Sequence, residues 1–184
     1  MCIMFEKKVP AHPAATVILM KDTSSGFEIL LLKRNAHLDF HGGHWVFPGG
    51  RIDPKDYERA SPQNDILAAA RIAAVRETYE EAGLEISDKD LVLISRWTTP
   101  PGYSKRFKTW FFLCPAPLGT VTIDNQEMIN SKWFSPQLAL DANNQGTIHL
   151  PGPTYYTIQS LVPFSNTDDA LQHFAEHPPI QVDW

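Results

Sequence analysis

From Asp65 to Ala82 the chain contains no glycine or proline and is rich in alanine. Nothing in that run interrupts a helix, and its composition favours one. Ala68, Ile72, Val75, Tyr79 and Ala82 recur at spacings of four and three, which predicts one apolar stripe. Asn64 or Asp65 suits the start as a cap, and Gly83 suits the end. A helix with one apolar stripe has to bury it, so the rest of the chain must supply a surface to cover.

Strands supply that surface. Residues 14–20 and 27–33 are aliphatic runs joined by the turn-rich Asp22–Gly26, a hairpin of buried strands. A short strand, Trp45–Phe47, is closed by Pro48-Gly49-Gly50, and two more strands are expected at 91–98 and 107–114, with a further short one around Lys132–Phe134. Residues 54–64 are polar and carry prolines, and they read as a loop. Ser135-Pro136 opens a helix to about Leu140, short helices are expected at 153–162 and 168–175, and the Pro-Pro tail reads as loosely held. Strands and helices mix without strict alternation, which predicts one α/β domain over residues 1–184, a sandwich around a mixed sheet. Its core spans about 14–162, with a C-terminal helical extension and tail over 163–184.

Sixteen Lys and Arg against twenty-one Asp and Glu leave a net charge of −5. Binding of nucleic acid through a basic face is therefore not expected. Residues 14–20 are too short to span a membrane, and no export signal is visible. Cys2, near the N-terminus, and Cys114, a small core residue after an apolar strand, form neither a CxxC pair nor a disulfide framework, so a reducing cytoplasm is the expected setting. An acidic protein that handles a small polyanion needs local cations or a bound metal.

The end of the long helix meets that need. At about 100° per residue Glu77, Glu80 and Glu81 share a face roughly opposite the apolar stripe. Like charges at these spacings cost a helix a few tenths of a kcal/mol per pair, a cost that a cation would relieve. A dense set of hard oxygen donors suits Mg²⁺ or Mn²⁺ and not zinc. The bland alternative is a solvated helix face.

Gly50, Asp56 and the run Arg76-Glu77-Thr78-Tyr79-Glu80-Glu81-Ala82-Gly83-Leu84 resemble the box that defines the Nudix hydrolases. Asp56 stands where Glu is usual, Thr78 stands where an aliphatic residue is usual, and the spacer over positions 57–75 is long. The resemblance implies a Nudix-like α/β/α sandwich and hydrolysis of a phosphoanhydride with bound Mg²⁺ or Mn²⁺. It also implies site residues: Glu77, Glu80 and Glu81 as metal ligands, Gly50 through its carbonyl, Arg76 holding a carboxylate in place, and Glu127 as a further metal-binding or basic glutamate. Arg34, Lys105 and Arg106 are the candidate phosphate contacts, with Tyr103 in the same loop. His37, His41 and His44 fit no known ligand spacing, and no metal site is expected there.

Leu30-Leu31-Leu32-Lys33-Arg34, Gly43 and Phe47-Pro48-Gly49-Gly50 are similar to the segment preceding the box in Nudix coenzyme A diphosphatases, with Asn35 and Asp39 departing from it. The approach Arg71–Arg76, Thr98-Thr99-Pro100 and Arg106-Phe107 look like the nudix motif 19 type. The small-molecule substrate so implied is coenzyme A or acyl-CoA, giving 3′,5′-ADP and 4′-phosphopantetheine. ADP-ribose or a dinucleotide is the alternative substrate, and a nucleotide-binding regulator without turnover is the alternative class. The oligomeric state is open, with a homodimer as one option.

Overall fold

The structure, a computed structural model, describes residues 9–183. Cys2 lies outside the described residues. Eight strands form one sheet: β1 Ala11–Thr23, β2 Gly26–Arg34, β3 Trp45–Val46, β4 Gly49–Arg51, β5 Val92–Thr98, β6 Arg106–Pro115, β7 Met128–Phe134 and β8 Ile180–Val182. Five helices accompany them: α1 Pro54–Arg59, α2 Ile66–Ala82, α3 Pro136–Asn144, α4 Gly152–Leu161 and α5 Thr167–Glu176. The sheet runs β3-β2-β1-β6-β5-β8, with β4 on β1 and β7 on β2. The β1–β6 and β5–β8 pairs are parallel and the other pairs antiparallel, so the sheet is mixed.

β1 alternates between two cores. Val17 and Leu19 face α2, while Ile18 and Met20 face the layer that holds α4 and α5. Both sets are buried, which is why the strand reads as an unbroken apolar run. One edge of β1 pairs with β6 over Ala11–Met20. The other edge is divided: Ala14–Thr16 pair with β4, and Met20–Thr23 pair with β2. Between them the Val17 amide donates to the Pro48 carbonyl at 2.9 Å, and Thr16 Oγ1 donates to the same oxygen at 2.7 Å. The sheet opens at this fork.

The structure corrects three sequence expectations. Residues 54–59 form α1 and not a loop, because Pro54 takes the first helical turn, where a missing N–H costs nothing, and the Asp53 amide donates to the Asp56 carboxylate at 2.8 Å. The tail holds β8, tied to β5 by Arg96 and Thr98, which donate to Asp183 at 2.6 Å each. Of the expected stripe, Ala82 is fully buried and Ala68, Ile72 and Val75 are partly buried against the same core, but Tyr79 is 57% exposed, and the deepest face of α2 is Ala69, Ala70, Ala73, Ala74 and Thr78. Methyl groups let the helix approach the sheet closely, so small residues make up the most deeply buried face. Thr78 fits that face because its hydroxyl donates to the Ala74 carbonyl at 2.8 Å, leaving the methyl to pack. Asp65 accepts from the Ala68 amide at 2.7 Å, and Gly83, at φ 68°, ends the helix.

No helix among the described residues is long and apolar enough to cross a membrane. The reassigned stripe predicts opposite responses on one helix. Ala73→Leu overpacks the helix–sheet contact and is expected to cost about 1–3 kcal/mol, whereas Tyr79→Ser should stay within about 0.5 kcal/mol. Urea denaturation checks both; a larger loss for Tyr79→Ser would restore the bulky stripe.

Candidate active site

The last turns of α2 lie against β4, and Arg76 organises the space between them. Its Nε and Nη2 reach the two oxygens of Asp56 at 3.3 and 2.9 Å, and its Nη1 donates to Glu77 Oε1 at 2.8 Å and Glu80 Oε2 at 3.0 Å. Nη2 also donates to the Arg51 carbonyl at 3.0 Å. Asp56 is only 1% exposed. A buried carboxylate needs such a partner, and a bidentate arginine supplies charge and geometry together. The long spacer therefore folds so that α1 delivers Asp56 to Arg76. Hydrogen bonding to Asp56 raises the proton affinity of the guanidinium further, so it stays charged.

The three box glutamates differ in environment. Glu80 is exposed, and Glu77 is half-buried, its carboxyl held above the usual range by burial although Arg76 pulls it down. Glu81 is 5% exposed and points inward, with Oε2 accepting the Gly49 amide at 2.8 Å. Burial raises its pKa well above the ordinary carboxylate value, with Glu77 and Glu127 adding repulsion against the Gly49 and Arg34 attractions. The cluster is thus not a uniformly solvated face. Gly49 is required by close approach, since a Cβ there would collide with the Ala15 carbonyl oxygen, and a Cβ on Gly50 would displace the Glu77 carboxylate.

Glu127 joins this group from the segment before β7. Its carboxylate lies 3.9 Å from Arg34 Nη2, and its carbonyl accepts the Asn35 amide at 2.7 Å. Arg34 in turn donates from Nε to the Phe40 carbonyl at 3.2 Å. Lys105 pairs with Asp39 at 3.1 Å, so the acidic residue that departs from the coenzyme A pattern already has a countercharge. Arg106 corrects the expectation of a phosphate contact: it is 4% exposed, and its guanidinium donates to Thr99 O at 2.9 Å and Val9 O at 2.8 Å. Burial forces a guanidinium to spend its donors on nearby carbonyls. Tyr103 is exposed. His41 and His44 sit edge to face at 5.3 Å.

Sequence reading passed over Arg51, Phe40 and Asp53. Arg51 follows the glycine pair directly and was legible as a cation beside the box; Phe40 had no local signal.

The donors fit a hard divalent cation by type: carboxylates with a glycine carbonyl beside them, in a cradle that a Cβ would fill. Among the described residues no three Asp, Glu, His or Cys side chains close to ligand geometry.

This fold and box define the class, and the chain belongs to the NUDIX domain family, matched over residues 10–150. It is 24% identical, over 79% of its length, to an acyl-coenzyme A diphosphatase of Xenopus laevis, of which it spans 62%. Over 42% of its length it is 35% identical to 29% of a peroxisomal coenzyme A diphosphatase of Caenorhabditis elegans. A NUDIX hydrolase from Alicyclobacillus acidocaldarius superposes with a TM-score of 0.81, over 92% of this chain and 99% of that one, at 24% identity. That likeness shows the fold, an α/β sandwich.

The burial of Glu81 generates a stability prediction. The folded protein holds the Glu81 proton more tightly than the unfolded chain does, so this group's contribution to stability is present at low pH and lost as pH rises through its raised value. Glu81→Gln removes that loss. In EDTA at pH 8 it should raise Tm by roughly 2–4 °C for each kcal/mol relieved, with a smaller gain near pH 5. Scanning fluorimetry checks this, and a lower Tm at pH 8 would mean that the site favours the charged form.

Proposed function

We propose that the chain forms a metal-dependent diphosphatase domain that cleaves a phosphoanhydride in coenzyme A or an acyl-CoA. The observation that carries the chemistry is Arg76 binding Asp56, Glu77 and Glu80 beside the Gly49-anchored Glu81. Glu77, Glu80, Glu81, Glu127 and the Gly50 carbonyl are the residues that would hold Mg²⁺ or Mn²⁺. When bound, the metal neutralises phosphate oxygens and acidifies a water.

The chain's own groups do the rest. Arg76 positions the glutamates and does not itself need to touch substrate. Glu81, whose burial strengthens its hold on a proton, suits the task of accepting one from water at Oε1, since Oε2 is engaged by the Gly49 amide. Arg34, half-buried beside Glu127, offers charge to a phosphate, and Lys105, paired with Asp39 in the connection that follows Arg34, is the second candidate. The likeness to relatives named as coenzyme A diphosphatases supports the substrate, together with the Leu30–Gly50 segment. Cysteine usage supports a cytoplasmic setting, although one relative is named as peroxisomal.

The deciding experiment offers coenzyme A, acetyl-CoA, ADP-ribose and a diadenosine polyphosphate to the purified chain with Mg²⁺ or Mn²⁺ and identifies products by mass spectrometry in ¹⁸O-water. We expect 3′,5′-ADP and 4′-phosphopantetheine from coenzyme A, with one label on a phosphoryl product and none on carbon. EDTA should abolish turnover, and Glu80→Gln should lower it at least roughly 100-fold, about 2.7 kcal/mol. ADP-ribose or the dinucleotide cleaved ten times more efficiently would overturn the substrate alone. Binding of these compounds without cleavage of any would overturn the enzyme reading.

A further inference from the structure

Four aromatic rings from three separate segments follow one another at tilted or edge-to-face angles, in a series that runs on from His41 to His44. His12 of β1 and Phe107 of β6 have centroids 6.3 Å apart, Phe107 and Phe40 are 4.8 Å apart, and Phe40 and His41 are 4.0 Å apart. All four are half-buried, and Phe40 and Phe107 belong to neither hydrophobic core. Two phenyl rings held at the surface by the β2–β3 connection and the start of β6 do no packing work for the sheet. The pair Asp39–Lys105 fastens the two loops that flank them.

Both ends of the row are tied to the carboxylate cluster. At one end Arg51 Nη2 lies 3.3 Å from His12 Nδ1, while the Arg51 carbonyl accepts from Arg76. At the other end Arg34 bonds the Phe40 carbonyl and faces Glu127. A protein of net charge −5 thus borders this row with Arg34, Arg51 and Lys105. Uncharged π faces bordered by cations suit a planar heteroaromatic ring that carries phosphates. An acyl chain would gain nothing from the cations. His41 adds a neutral face at physiological pH, because burial, together with His44 and Arg34, lowers its pKa to about 4.

We propose that His12, Phe40, His41 and Phe107 form the subsite for the base of a nucleoside diphosphate substrate, stacked on Phe40 and Phe107 with its phosphates toward Arg34 and Arg51. The assignment rests on the diphosphatase reading for its substrate class, but its test does not depend on turnover. Calorimetry on the full chain with Mg²⁺ would compare adenosine 5′-diphosphate with inorganic pyrophosphate. Phe40→Leu and Phe107→Leu, which keep apolar volume and remove the π face, should each weaken adenosine diphosphate at least tenfold and leave pyrophosphate within twofold. Equal losses for both ligands, or no loss for either, would overturn the subsite. Should Phe107→Leu melt early, Phe40→Leu in the connecting loop still decides. Transferred NMR contacts between adenine and phenyl protons in the unmodified chain provide a check without substitution, and their absence at saturating ligand would also overturn it. Selective loss of adenosine diphosphate binding in a chain that hydrolyses nothing would uphold the subsite and overturn the enzyme reading.

Discussion

Arg76 holds together charges that would otherwise push the end of α2 apart. Glu77, Glu80 and Glu81 crowd one end of the helix, and Asp56 is buried beside them. One guanidinium answers Asp56 with two bonds and also bonds Glu77 and Glu80. A lysine, as a point charge, could not divide itself in this way. The arrangement also fixes the fold around it, since Asp56 reaches Arg76 only because α1 packs on α2, and the Arg51 carbonyl reaches it only because β4 places Arg51 directly after the glycine pair.

Glycine and alanine set the distances in this site. The methyl-lined face of α2 lets the helix lie close to β1, and bare backbone at Gly49 lets β4 pair with β1 beneath the end of that helix, where its amide meets Glu81. Close approach of this kind leaves no room for solvent around Glu81, which is why its proton is held so firmly.

The divided edge of β1 gives the site its place in the sheet. With β4 on the first part and β2 on the second, the chain between β2 and β3, residues 35–44, leaves the sheet and carries Phe40 to Phe107 at the start of β6. Arg34, at the end of β2, connects that loop to Glu127.

The hairpin, the span of α2, its Asp65 and Gly83 caps and the grouping of its glutamates were all legible in the sequence, because each depends on neighbours within a few positions. So was the Nudix box, whose spacings survive a long insertion. Local pattern misled where tertiary distance decided. The expected stripe ran through Tyr79, which is exposed, while Ala69, Ala70, Ala73 and Ala74 beside it take the deepest positions against the sheet. Prolines suggested a loop at 54–59, but one of them begins a helix. Arg106 looked like a phosphate contact and is a buried strut, and Asp39, a departure from the coenzyme A pattern, is paired with a lysine far along the chain. Helical periodicity and capping are written between near neighbours. Which carboxylate is buried, which arginine is spent and which rings meet depend on segments far apart in sequence, and only the folded chain brings those together.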